Sequence, residues 1–206
     1  MEEIQELLEK TAERLEGLGL LRQASALDTV ANTLDMVRNA SVSDLARSRA
    51  SRSKGLVIYV DMDGVLTDFV KQYGAFGGGA LGKKGKPDWS LTKSVEFWKD
   101  MPWKKDGKSL WKALSPFDPI ILTSPTTQES CEVGKREWVR RELGHDTRII
   151  VDSNKWQYAS PVSILIDDME KNTDPFKAFG GEAILHKSTG ETLKALRKVL
   201  DEACKG

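Results

Sequence analysis

Asp61 and Asp63 are separated by one residue within Asp61-Met62-Asp63-Gly64-Val65-Leu66-Thr67-Asp68, and Asp167 and Asp168 are adjacent in Leu165-Ile166-Asp167-Asp168. In extended backbone, residues two apart point to the same side, so Asp61 and Asp63 can face one site. Gly64 lets the chain turn away sharply after them. Crowded carboxylates repel one another unless a cation or a proton intervenes, and hard oxygen ligands of this kind select Mg²⁺. Thr123-Ser124-Pro125 supplies two hydroxyls and freed backbone N–H groups suited to phosphate oxygens. Lys155 supplies a cation able to neutralise charge between the two acidic pairs. Together these residue types can hold a divalent metal and a phosphoryl group side by side.

Each of these stretches directly follows a strand candidate. Short apolar runs fall at 56–60, 118–122, 147–151, 162–166 and 182–186, with helical patterns between them, notably at 128–143 and 189–204. Nearly continuous apolar strands alternating with helices predict a doubly wound, parallel α/β sheet covered on both faces. Ligands of such sheets bind beyond the carboxyl ends of the strands, where both aspartate pairs fall. Aspartates in loops often cap helices instead, and Asp174 before Pro175 reads that way. Two pairs at converging strand ends do not.

The first 37 residues form a separate unit. Ile4, Leu7, Leu8, Leu15 and Leu18 make one apolar stripe, and Leu27, Val30, Leu34 and Val37 make a second. Gly17 and Gly19 interrupt them, so 1–37 predicts an N-terminal helical hairpin. Its stripes need cover from the main domain, from a second copy in a homodimer, or from a partner. Residues 38–55 read as a basic linker, with Arg38, Arg47, Arg49, Arg52 and Lys54 against Asp44 alone. The remainder, 56–206, reads as the α/β domain, with an insertion at about 70–115.

The 206 residues carry 31 Lys+Arg against 31 Asp+Glu, which excludes a strongly basic nucleic-acid coat. No apolar run approaches the roughly 20 residues of a membrane span. The acidic start MEEIQELLEK is unlike a secretory signal. Cys131 and Cys204 are too few for a disulfide scaffold, so a cytoplasmic setting is expected.

With those residues in place, the chain resembles the haloacid dehalogenase (HAD) superfamily. The aspartate motif at 61–68, then Thr123/Ser124, then a lysine, then Asp167-Asp168 occur in the order of that superfamily's four motifs, across about 56–200. Within it, DMDGVLTDF (61–69), FWKDMPW (97–103), ILTSP (121–125), KREWVRRELG (135–144) and LIDD (165–168) are similar to the 5'(3')-deoxyribonucleotidase branch. The resemblance implies a HAD-like Rossmannoid sheet with a small helical cap. It implies a phosphomonoester hydrolase with Asp61 as nucleophile and Asp63 as general acid and base. It places Mg²⁺ on Asp61, the Asp63 carbonyl and Asp167, with Asp168 in support. Thr123 and a lysine would bind the phosphoryl oxygens. Lys135 and Lys155 both compete for that last role. Lys155 is preferred, because it follows a strand and precedes the last acidic pair by a dozen positions; Lys135 would then reach the substrate phosphate or sugar, beside Ser124.

The segment 83–112 holds nine lysines, four acids and four of the six tryptophans. Basic and aromatic residues inserted after the first motif suit a cap over a nucleotide, and Phe97 and Trp98 are the base-stacking candidates. The competing role for each is the cap's own core. Gly77 to Lys84 nearly fits a phosphate-binding loop but has Lys84 where a hydroxyl is required. The expected substrate is a small phosphomonoester, a nucleoside 5'-monophosphate first. Nucleic-acid ends or sugar phosphates are the alternatives, and a non-catalytic scaffold recruiting a partner through the hairpin is a third reading.

Overall fold

The computed structural model describes residues 55–79 and 87–203, together with the helical residues Leu7, Lys10, Thr11 and Arg14. Apart from those four and Gly55, the hairpin expected over 1–37 and the linker over 38–55 lie outside the described residues. So does most of the glycine-rich loop.

Five short strands form one sheet: β1 (Val57–Val60), β2 (Ile120–Thr123), β3 (Ile149–Val151), β4 (Ser163–Asp167) and β5 (Glu182–Leu185). Every pairing is parallel, and the order is β3-β2-β1-β4-β5. The winding reverses at β1, which lies between β2 and β4. That reversal opens a crevice at the carboxyl ends of these strands.

The strands are apolar on both sides because both faces are covered. Ile58, Val60, Ile121 and Ile164 pack into one cluster with Leu110, Trp138 and Leu196. Those partners come from helices α3 (Gly107–Leu114), α4 (Glu129–Leu143) and α6 (Thr189–Ala203). The alternate residues Leu122 and Leu165 pack on the other face with Phe176 of helix α5 (Glu170–Ala178). Fully burying side chains of this size stabilises by about 1.5–3 kcal/mol each. This alternation holds the strand ends, and hence the aspartates, in fixed register.

Between β1 and β2 the chain forms α1 (Phe69–Ala75), a 3₁₀ turn (Trp89–Thr92), α2 (Val95–Lys99) and α3. Asp68 caps α1 by accepting from the Lys71 N–H, and Ser94 caps α2 by accepting from Phe97 N–H. Helix α2 lies against α4 at Gly134, where an added Cβ would stand 2.5 Å from the Trp98 Cβ. The excursion then returns to the aspartate loop. Thr67 bridges Trp103, and the Lys104 N–H donates to the Leu66 carbonyl at 2.8 Å.

Asp174 corrects one reading. It lies inside α5, four residues past the helix start, and caps nothing. The Met169 N–H at the start of α5 instead donates to the Asp167 carboxylate at 2.9 Å. Pro175 is tolerated within the helix, where the turn is held by bonds such as Thr173 N–H to the Met169 carbonyl. Among the described residues, no helix is long and apolar enough to cross a membrane.

Candidate active site

The first strand ends at Val60, and the Asp61 N–H donates to the Ile166 carbonyl of β4 at 2.9 Å. This bond extends the β1–β4 ladder by one rung and sets Asp61 beside Asp167. Carboxylate oxygens of Asp61, Asp167 and Asp168 all lie within 4.8 Å of one another. The Asp63 carboxylate stands outside this group.

Each member of the first acidic pair has its own lysine. Lys155 Nζ lies 2.7 Å from Asp61 Oδ1 and 2.6 Å from Asp167 Oδ2. Lys135 Nζ donates to Asp63 Oδ2 at 2.7 Å, Thr123 Oγ1 at 2.9 Å and the Ser124 carbonyl at 2.7 Å. Both lysine side chains are buried. An ammonium has three protons, so Lys135 is fully engaged, and a phosphate oxygen must displace one of its partners. The face of Trp98 lies 5.2 Å from the same Nζ.

Burial alone would lower the Lys155 ammonium, but Asp61 and Asp167 together raise its pKa above the ordinary lysine value. Asp167 is raised by burial and by the Asp61 charge, with Lys155 and Asn172 opposing. Asp168 is pushed up to about 7, first by desolvation and then by Asp61 and Asp167. Its side chain opens to the cavity, yet the cavity wall removes part of its hydration. The two aspartates at the end of β4 are thus short of positive charge.

They are also unequally placed for a metal. Asp167 accepts from Met169 N–H, from Lys155 and, through both oxygens, from Asn172 Nδ2 at 3.0 Å. Among the described residues, none but Asp168's own backbone N–H donates to its carboxylate. Three oxygen donors, two with raised affinity for a proton, fit a hard divalent cation. The most available ligand atoms are those of Asp168 and the Asp61 oxygen turned away from Lys155. Gly64 permits this arrangement. Its φ is +87°, and a Cβ there would lie 2.1 Å from Asp168 Oδ2.

The aspartates open into a cavity of about 690 Å³. Asp61, Asp63, Ser124, Lys135 and Asp168 line its floor, and Phe69, Val70, Pro87 and Trp89 form an apolar wall. Thr123 is wholly buried beneath, in contact with Lys135. Lys155 is not among the lining residues, and Lys135 is. Of the two candidate lysines, Lys135 therefore has the geometry for a phosphoryl group, against the preference drawn from spacing. Lys155 neutralises the carboxylates from behind.

Phe97 does not reach the cavity, and Trp98 lines it only from a buried position. Both are buried to within 1% exposure. Phe97 packs edge-on against Phe69, Phe76 and Trp98, with no face free for a base. Trp98 donates its indole N–H to the Thr92 carbonyl at 2.8 Å. The aromatic that spacing missed is Trp89, 47% exposed on the cavity wall. Its signal was the Asp88-Trp89-Ser90 sequence, in which Asp88 accepts from the Ser90 N–H and starts the turn. Phe69 lies 6.2 Å from its ring. The isolated His186 is structural: it is buried, its Nδ1 pairs with Thr192 at 2.8 Å, and burial lowers its pKa. Cys131 is a buried free thiol, raised by desolvation.

No protein-family model matches the chain, and no curated protein sequence does.

Proposed function

We propose that this protein is a Mg²⁺-dependent phosphomonoester hydrolase of HAD type, acting through an aspartyl-phosphate on Asp61. The observation that carries the reading is the juxtaposition of two sets at one cavity floor. The Asp61–Asp167–Asp168 carboxylates lie within 4.8 Å of one another, and Lys135 joins Asp63 to Thr123 beside them. One set suits a divalent cation and the other a phosphoryl group.

A bound Mg²⁺, held by Asp61, Asp168 and Asp167, would screen the substrate dianion from the carboxylates and stabilise charge on the phosphoryl oxygens. The protein supplies the rest. Thr123 and Lys135 orient the phosphoryl group, Lys135 exchanging its bond to Asp63 or Ser124 for one to phosphate. An Asp61 carboxylate oxygen attacks phosphorus as the bond to the leaving oxygen breaks. Asp63 gives its proton to that oxygen. Asp63 then takes a proton from water, the water oxygen attacks phosphorus, and the bond to Asp61 breaks to release phosphate. Lys155 holds Asp61 in place throughout.

The exposed face of Trp89, with Phe69 behind it, favours a leaving group with a planar apolar part, and hence a nucleoside 5'-monophosphate. The test is a panel of dTMP, dUMP, a 3'-phosphorylated oligonucleotide and a hexose phosphate, assayed with Mg²⁺ and with EDTA. Turnover is expected to be highest on the nucleotides, silenced by EDTA and restored by Mg²⁺. Asp61→Asn is expected to lose at least about 10³-fold in kcat, as for a nucleophile removed. Activity indifferent to chelation, or full activity in Asp61→Asn, overturns the reading.

A further inference from the structure

We infer that Gln128 is a positioning residue that sets how well the site accepts a bulky planar leaving group. Gln128 opens α4, the helix that carries Lys135. Its side chain does not cap that helix. The backbone N–H of Gln128 finds Thr126 Oγ1 at 3.3 Å instead. The side chain crosses to the other wall of the cavity. Its Nε2 donates to the Trp89 carbonyl at 3.1 Å, and its Oε1 lies 3.5 Å from Thr92 Oγ1, whose hydroxyl also reaches the Trp89 carbonyl at 3.0 Å.

The turn so gripped is the Trp89–Thr92 3₁₀ turn, whose first residue is the exposed aromatic of the wall. It is a single turn whose Leu91 packs against the main core and whose Thr92 is buried. Its fixed points include the Asp88 cap on Ser90, the Tyr73 hydroxyl accepting from the Asp88 N–H at 2.7 Å, Thr92 Oγ1 on the Trp89 carbonyl, Trp98 on the Thr92 carbonyl, and Gln128. Among the described residues, Gln128 ties the turn to the start of α4, next to the Ser124–Thr127 side of the cavity. The distance between the Trp89 wall and the phosphate-binding loop is therefore held in part by this side chain. A ligand small enough to stay on the floor does not sense that distance. A ligand that spans from the floor to Trp89 does.

The inference rests on the proposed hydrolase reading for turnover, but its binding test does not. Wild type, Gln128→Ala and Gln128→Glu are titrated calorimetrically, with Mg²⁺ present, with benzylphosphonate and with methylphosphonate, neither of which can be hydrolysed. Gln128→Glu keeps the acceptor for Thr92 and loses the donor to Trp89. Both variants are expected to bind benzylphosphonate about threefold to tenfold more weakly, the scale of one lost hydrogen bond, and methylphosphonate within twofold of wild type. Their melting temperatures are expected to fall by no more than about 4 °C, so the fold is retained. With phenyl phosphate as substrate, KM is expected to rise by the same factor while kcat stays within twofold. Equal weakening of both phosphonates, or of neither, overturns the inference. A wild type that hydrolyses no phosphomonoester overturns the hydrolase reading instead, and leaves the phosphonate ratio to decide the role of Gln128.

Discussion

Asp61 and Asp167 are both buried, and Lys155 is the cation between them. Removing one partner of a buried ionic group leaves the others uncompensated, which costs about 3–5 kcal/mol. Lys155→Met is therefore expected to unfold at markedly lower urea in EDTA. A divalent cation neutralises the same carboxylates, so added Mg²⁺ should raise the variant's midpoint more than it raises wild type. An equal rise in both would mean that Lys155 and the metal do not share that pair. Asp168 gives a complementary signature. Its folded pKa of about 7 stands above the ordinary 3.8. The folded state thus holds the proton more tightly than the unfolded one. Its contribution is fully present below about pH 4 and is lost as pH rises to about 7. Asp168→Asn should consequently match wild type near pH 4 in EDTA and melt higher by about 2–4 °C at pH 8. That corresponds to about 1 kcal/mol once solvent screening of an exposed carboxylate is allowed for. A gap that is widest at pH 4 would refute the assignment.

At the scale of elements, the packing of α2 on α4 connects the cap to the floor of the site. Gly134 lets the helices touch, with the Val95 carbonyl only 2.7 Å from where a Cβ would sit. Gly134→Ala must push α2 away and is expected to cost about 1–3 kcal/mol by urea titration. Because Trp98 rides on α2 and covers Lys135, KM for phosphomonoesters should rise as well. Unchanged stability would show that the helices separate freely. The elements differ in how far the sequence revealed them. All five strands were legible, since a run such as Leu56 to Val60 is too short and too apolar for anything but a covered strand. The long helices α4 and α6 were legible from their length. Helices α1, α2 and α3 span seven, five and eight residues, too few turns to impose a periodic stripe. Hence Phe97 and Trp98, adjacent in sequence, looked like a stacking pair, whereas both are buried in the main core cluster. The choice between Lys135 and Lys155 was illegible for another reason. A lysine reaches several ångströms from its backbone, so strand adjacency does not say which carboxylate it will find. That Asp61, Asp167 and Asp168 come together was legible, because strand ends in a parallel sheet leave them one place to meet; that the Asp63 carboxylate turns instead to Lys135 was not.

For the whole molecule, the question is what residues 1–54 contribute to the site. Among the described residues, the cavity lining runs from Asp61 to Asn172. The sheet that positions them is closed by its own pairs: the Val57 N–H donates to the Val162 carbonyl at 2.9 Å, and β1 is flanked by β2 and β4. Leu7, one of the apolar stripe, is 65% exposed. An apolar stripe on a short helical unit gains free energy only when something covers it, and cover by a second copy or a partner changes assembly rather than chemistry. Deleting residues 1–50 should therefore leave kcat and KM on phosphomonoesters within about twofold, because the carboxylates and lysines placed at the site all lie between Asp61 and Asp168. The same deletion should change the sedimentation behaviour if the stripes cover one another in a homodimer. If turnover vanished while circular dichroism still reported the α/β domain, the N-terminal unit would have to complete the site, and the cavity as bounded by Asp61 to Asn172 would be only part of it.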